Sequence, residues 1–313
     1  MEKQNSYTSS FKEFLFKILL PLFLIVGAAG LIFNYFFEKK IILKSQVSGA
    51  YKVNRILTET YPDEIPIFGS SRAEMGIIPD SLGHDYFNYG LYGTHYDVTL
   101  FFLEQECKKI KKRPWIILNL DLDGIEIALD DISNYIYNAH DPAVRELLGK
   151  EYKPYFSIPF IRYFGRFENI YRSYLTDKVA VSKIVDKGAA IEKQVIPQKE
   201  FDKLVAERIG TLQVFGINPD LKKKLFYIIT THPERVFVFV IAPYHPCCFQ
   251  GYNFDAVNDF MKLLRSYKNV KVFDFSRLPL PDNMFFNTTH INYSGAVEYN
   301  HYLKDSLMQM GVH

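Results

Sequence analysis

Three short polar blocks in this 313-residue chain carry residue types that acyl transfer requires. Gly69-Ser70-Ser71-Arg72 follows the apolar run Ile65-Pro66-Ile67-Phe68. A glycine and two serines directly after a strand make a tight turn into a helix, and the first N–H groups of such a helix can meet developing negative charge. A serine there stands at the sheet edge and can act as a nucleophile; the same residues also serve as ordinary helix N-caps. The second block is Asn88-Tyr89-Gly90, whose glycine admits close approach of the backbone to a ligand or simply makes a turn. The third, Asn287-Thr288-Thr289-His290-Ile291-Asn292-Tyr293-Ser294-Gly295-Ala296, puts a histidine in a polar loop, where it could take a serine proton. Of the eight histidines, His290 is the best placed for this, and His245, in Ala242-Pro243-Tyr244-His245-Pro246, is second.

The surrounding pattern says what must hold these blocks. Segments that read as strands cover Ile65–Phe68, Asp85–Asn88, Trp115–Leu120, Val236–Ala242 and Val270–Phe275. Helical spacing covers Tyr96–Lys111, Asn258–Tyr267 and Asn292–Met310. Strands alternating with helices predict right-handed βαβ units and an α/β fold with a doubly wound parallel sheet, in which ligands bind beyond the carboxyl ends of the strands. All three blocks follow predicted strands or precede the last helix. Between residues 125 and 219 the alternation stops, and a mostly helical insertion is expected to cover that edge of the sheet.

Ile18 to Phe37 is a run of 20 residues with no charge and with Asn34 as its one polar side chain. At about 1.5 Å per residue it spans a hydrocarbon core of about 30 Å. Pro21 falls in its first turn, where a missing N–H costs least. The Phe33–Phe37 end lacks the small residues of a cleavage site, so the run is read as a retained N-terminal transmembrane helix in a lipid bilayer rather than a signal peptide. Residues 1–17 then form the N-terminal segment, 38–60 a stalk, and 61–313 the folded domain. Lys3, Lys12 and Lys17 before the span balance Lys39, Lys40 and Lys44 after it, so the positive-inside count gives no orientation.

Composition excludes several classes. The chain is 48% hydrophobic and 23% charged with a formal net charge of +2 and no long basic stretch, which argues against disorder and against a nucleic-acid partner. Cys107, Cys247 and Cys248 form no disulfide framework and no metal spacing. The acidic run Asp121, Asp123, Glu126, Asp130, Asp131 lacks the spacing of a calcium loop. No GxGxxG follows a strand, and no cofactor is expected.

In order and spacing the blocks resemble the SGNH (GDSL-like) hydrolase superfamily, in particular its membrane-anchored bacterial branch, similar to acyltransferase-like proteins of cell-envelope glycan modification. The resemblance implies a flavodoxin-like sheet, with Ser71 as nucleophile, His290 as base and Gly90 as an oxyanion-hole glycine beside Asn88. Asn292 and Gly295-Ala296 match the block that follows the histidine. The resemblance also implies an acyl-ester or envelope-glycan substrate, a multi-span acyltransferase as a possible partner, a cytoplasmic segment over residues 1–17 and a domain outside the cytosol. Arg72 is a candidate for an anionic substrate group. Two positions depart from the pattern. Asn287 replaces the acid of Asp-x-x-His, leaving a Ser–His dyad or rescue by Asp282, and Asp121-Leu122-Asp123-Gly124 replaces a turn that supplies an oxyanion-hole asparagine. A carboxylate aimed at an oxyanion is harmful, so Asp121 and Asp123 are expected to point elsewhere, toward sugar hydroxyls.

Overall fold

A computed structural model describes residues 11–42, 49–127, 136–158, 161–163, 172, 185–212 and 214–312. The first ten residues, positions 43–48 of the expected stalk, much of the insertion, and Asp130 and Asp131 lie outside the described residues.

Five parallel strands form the central sheet: β1 (Ile65–Phe68), β2 (Tyr86–Asn88), β3 (Trp115–Asn119), β6 (Val236–Ile241) and β7 (Val270–Asp274), in the spatial order β2-β1-β3-β6-β7. The register pairs Ile67 with Asn88 on one side and with Ile117 on the other, which brings the ends of β1 and β2 and the β1–β3 seam level. β3 and β6 pair along their whole length, from Trp115–Val236 to Asn119–Val240. These strands read as unbroken apolar runs because both faces of the sheet are covered. Alternate residues enter separate cores. Phe68, Ile116, Leu118, Phe237 and Phe239 face one core, and Ile65, Ile67, Ile117, Val238 and Val240 face the other.

Helices lie on both faces. The first core is closed by α2 (Ala50–Thr58), α5 (Tyr96–Cys107), α8 (Pro219–Thr231) and α9 (Asp255–Arg265). The second is closed by α3 (Ser71–Gly76), α4 (Pro79–Leu82) and α10 (Tyr293–Gln309). The insertion leaves through β4 (Gly124–Ile125) and returns through β5 (Gly216–Ile217), two short strands paired in parallel. Its described part contains α6 (Pro142–Leu148), α7 (Gln198–Arg208) and short 3₁₀ turns. A hairpin, β8 (Phe285–Asn287) and β9 (His290–Ile291), precedes α10. The sequence pattern did not place this hairpin, because its strands are too short to show a period.

One helix among the described residues, Phe11–Lys39, is long and apolar enough to cross a membrane, with a mean hydropathy of 2.4. Its regular α-helical part is α1 (Leu20–Lys40). The end of α1 differs from the expected lipid-facing span. Asn34 and Phe37 are buried, Phe37 packs into the first core with Ile41 and Ile42, and Glu38 pairs with Arg162 at 3.4 Å. The expected stalk over 38–60 is likewise corrected. Ala50, Tyr51, Lys52, Val53 and Ile56 are buried, so α2 is part of the domain core and not a free tether. Lys52 tolerates burial because its ammonium meets Glu74 Oε1 at 2.7 Å and donates to Gly90 O.

Candidate active site

Ser71 is the first residue of α3, and Ser70 is its N-cap, with the Ser70 hydroxyl accepting from Arg72 N–H at 3.3 Å. The two readings of this serine pair are therefore divided between neighbours. Ser70 caps the helix, while the Ser71 hydroxyl turns to the sheet edge and meets His290 Nε2 at 2.8 Å.

His290 is delivered by the β8–β9 hairpin. Asn287 and His290 stand opposite each other across it, so their side chains leave on one face. His290 Nδ1 lies 3.0 Å from Asn287 Oδ1 and 3.1 Å from Thr289 Oγ1. The backbone N–H groups of Thr289 and His290 both donate to Asn287 Oδ1, each at 2.9 Å. Two such donors fix the amide with its oxygen toward the ring. The proton of the neutral imidazole then belongs on Nδ1, and Nε2 presents its lone pair to the Ser71 hydroxyl. Burial, followed by the positive charge of Arg72, pushes the His290 pKa down to about 4. The ring is therefore neutral and able to accept a proton throughout the pH range above that value.

Ser71 and His290 open into a cavity of about 160 Å³ whose wall also includes Ser70, Arg72, Gly93, Thr94, His95, Asp121, Asp123, Leu212, Tyr244 and Thr289. Gly90 is not part of this wall. Its N–H donates to Asn88 Oδ1 at 2.8 Å, and a Cβ there would lie 2.6 Å from Glu74 N, so the glycine serves close packing against α3. The glycine that faces the cavity is Gly93, with φ +67° and open space where a Cβ would be. The N–H groups of Ser71 and Gly93 donate to no acceptor among the described residues. Both residues line the cavity. The sequence does carry a signal for Gly93, as a second glycine three residues after the first, but spacing does not reveal which of the two lines the cavity.

Asn88 is fully buried and donates to Ala73 O at 2.8 Å and Ile77 O at 2.9 Å, which closes the C-terminal end of α3 and ties it to β2. Arg72 is buried, and much of its guanidinium is held by the protein itself. Its guanidinium donates to Thr289 O, to Ala242 O at 2.8 Å and to Pro243 O at 2.7 Å, lies 3.3 Å above the Tyr244 ring, and pairs with Asp121 at 3.4 Å. Arg72 thus locks the histidine hairpin to the end of β6, and it does so from the residue next to Ser71. Asp121 and Asp123 do face the cavity. Asp121 Oδ1 accepts from Asn119 Nδ2 at 2.7 Å, and the loop that follows is held by Leu122 N–H to Tyr244 Oη at 2.9 Å.

His245 lies outside this wall. Its Nε2 meets Asp282 Oδ1 at 3.2 Å, its Nδ1 accepts from Cys247 N–H, and its ring packs edge-on against Phe201 and Phe285. Asp282 is thereby engaged with His245 and with Gln198 at 3.0 Å, and the described partners of His290 Nδ1 are Asn287 and Thr289. Asn292 caps α10 by accepting from Ser294 N–H at 3.1 Å and Gly295 N–H at 3.2 Å, which fixes where the hairpin ends. Among the described residues no group of three or more metal-ligating side chains comes together. No protein-family model matches this chain, and no curated protein matches it.

Proposed function

We propose that this chain is a membrane-anchored, SGNH-type serine acyl hydrolase or O-acyltransferase acting on an envelope glycan or a lipid-linked acyl ester. The observation that carries the reading is the relay Ser71 Oγ–His290 Nε2 at 2.8 Å with Asn287 Oδ1 at 3.0 Å from the other ring nitrogen. The strand order β2-β1-β3-β6-β7 supports it as the flavodoxin-like arrangement, and the relay stands at the carboxyl ends of those strands. The histidine's neighbour is an amide, as in the Cys-His-Asn arrangement of papain-like proteases, and here its oxygen faces the ring.

In this mechanism Ser71 Oγ attacks the acyl carbonyl carbon and its proton passes to His290 Nε2. The carbonyl electron pair moves onto oxygen, where the N–H groups of Ser71 and Gly93 meet it. Collapse expels the alcohol, which takes the proton from His290. The acyl-serine then passes its acyl group to water or to a sugar hydroxyl, deprotonated by the same nitrogen. An apolar helix at the N-terminus restricts the substrate to molecules presented at a membrane, and the bacterial envelope, on its outer side, is the setting this reading favours. A multi-span acyltransferase is the partner that would feed such a site.

The second reading is a non-catalytic glycan-binding or accessory protein on the same fold. It is favoured by the amide at Asn287 and by the carboxylates of Asp121 and Asp123 in the cavity. A fluorophosphonate probe separates the two. The enzyme reading expects a covalent adduct on Ser71 that is absent from Ser71→Ala, and folded wild-type protein that takes no label would leave the accessory reading standing.

A further inference from the structure

One side of the apolar helix is covered by protein near its end. Asn34 lies four residues before Glu38, about 6 Å of helix, and it is buried, as is Phe37. Ile32, Tyr35 and Phe36, in the same turns, are exposed. The folded domain therefore reaches along α1 to the depth at which the apolar run ends. The whole apolar helix has 29 residues. At the helical rise it is about 43 Å long, which matches a bilayer with its headgroup layers, about 40–45 Å. Glu38, next to the last residue of that helix, then stands at headgroup level.

Arg162 of the insertion pairs with Glu38 at 3.4 Å and is itself buried, so this part of the insertion shares the depth of Glu38. Three large apolar side chains lie close to Arg162 in the chain and are open to the outside: Tyr155, Ile158 and Ile161, exposed by 49%, 46% and 45%. No other three exposed large apolar residues among those described outside the apolar helix stand so close together in the chain. Ile158 is four residues from Arg162, at most about 14 Å of extended chain. A packed turn presents Tyr155 and Ile158. Phe156 between them is buried in the first core, Tyr152 and Tyr155 meet its ring edge-on at 6.4 and 4.8 Å, and Tyr152 Oη lies 2.9 Å from Ser157 Oγ.

We propose that Tyr155, Ile158 and Ile161 form a second membrane contact, seated in the headgroup layer beside the end of α1. The occupant of this surface is lipid because Glu38, the residue that fixes Arg162, ends the segment read as a span. Tyrosine suits that layer, with an apolar ring for the acyl boundary and a hydroxyl for water and headgroups. The two isoleucines add apolar area of the kind that seats a segment in the interface plane. The inference rests on the membrane-anchored reading and is independent of the serine chemistry. A single helix leaves the domain free to turn about the helix axis, whereas a second contact fixes which face of the domain meets the bilayer.

The test is tryptophan quenching on the full chain in phosphatidylcholine–phosphatidylglycerol vesicles, with bromine carried on the acyl chains close to the headgroups. Wild type has one tryptophan, Trp115 at the start of β3, and supplies the baseline. Ile158→Trp and Ile161→Trp should each lose at least about a third of their emission to the brominated lipid and resist acrylamide, as tryptophan in an interface does. Ile110→Trp, at a site 90% exposed just before β3, should do the reverse, with acrylamide as its effective quencher. All three sites are on the surface, so the variants should melt close to wild type. If Ile158→Trp and Ile161→Trp behave as Ile110→Trp does while the protein floats with the vesicles, the surface faces water and the second contact is overturned. Emission shielded from both quenchers means that protein covers the surface, a second copy included, and overturns it as well. Full-length protein that does not float with the vesicles overturns the span reading and takes the inference with it.

Discussion

Two histidines stand at one edge of this sheet, one after β6 and one in the β8–β9 hairpin, and they are built in opposite ways. His245 has the carboxylate, Asp282 at 3.2 Å, and among the described residues no serine bonds to it. His290 has the serine at 2.8 Å and only an amide behind it. A carboxylate-backed histidine is the more familiar sign of catalysis, but here that pair is wedged between Phe201 and Phe285 and props the hairpin, with His245 N–H donating to Thr288 O at 2.9 Å. The difference teaches that a base is defined by what its free nitrogen faces and by which tautomer its other nitrogen is held in. An acid partner alone does not define one.

The sharpest way to break that comparison is to remove each ring in turn. His290→Ala should cost at least about 10³-fold in ester cleavage, because removing a triad member leaves only the catalysis that the oxyanion donors and binding supply. His245→Gln should cost less than about tenfold in rate and show its effect in thermal stability, since it loses an aromatic packing contact and a polar bond but leaves the relay in place. Equal losses in the two variants, measured as kcat/KM on an aryl acetate with melting temperatures alongside, would remove the distinction.

Much of this arrangement was legible in the sequence. β1 is found at Ile65–Phe68 as read, and the other sheet strands differ by single residues at their ends; β1, β3 and β6, buried on both faces, show most clearly as apolar runs. Ser71 and His290 were legible because chain order puts both beside a strand end or a helix start. Tertiary use was not legible. Arg72 in a first turn looks solvated until it is placed under three carbonyls that come from the β6 loop and the hairpin. Lys52 on an amphipathic helix looks like a solvent-facing charge, yet its ammonium bridges α3 and the Gly90 loop in full burial. A buried charge is read from its partner, and the partners here lie 22 and 38 residues away.

The amide itself can be tested with a change of one functional group. Asn287→Asp places a carboxylate against Nδ1, which favours imidazolium and raises the His290 pKa from about 4. The acid limb of the rate profile should therefore move up by one to two pH units, roughly the effect of a close opposite charge. Stability follows the same sign. In wild type the folded histidine resists the proton that the unfolded chain accepts below about 6.5, so His290 contributes stability above that pH and loses it as pH falls toward 4. Asn287→Asp should narrow that loss, seen as a smaller drop in melting temperature between pH 6.5 and 4.5. An unmoved acid limb would mean that residue 287 does not touch the base.

Asp282→Asn carries the smallest expected effect and tests the other half of the comparison. The hydrogen bond from Gln198, and after it the one from His245, lower the Asp282 pKa, so its contribution to stability is present above the ordinary carboxylate range and lost as pH falls through it. The side chain is 46% exposed, which screens the pair and limits its worth to under about 1 kcal/mol. The variant should melt within about two to four degrees of wild type at pH 7, as expected for a loss of that size in a chain this long, with the gap closing at acid pH. Its ester cleavage should stay within about twofold of wild type, since Asp282 meets His245 and His290 Nδ1 is already held by Asn287 and Thr289. If instead the rate falls by orders of magnitude while the melting temperature holds, Asp282 reaches His290 during turnover, and the separation of the two histidines into a base and a prop fails.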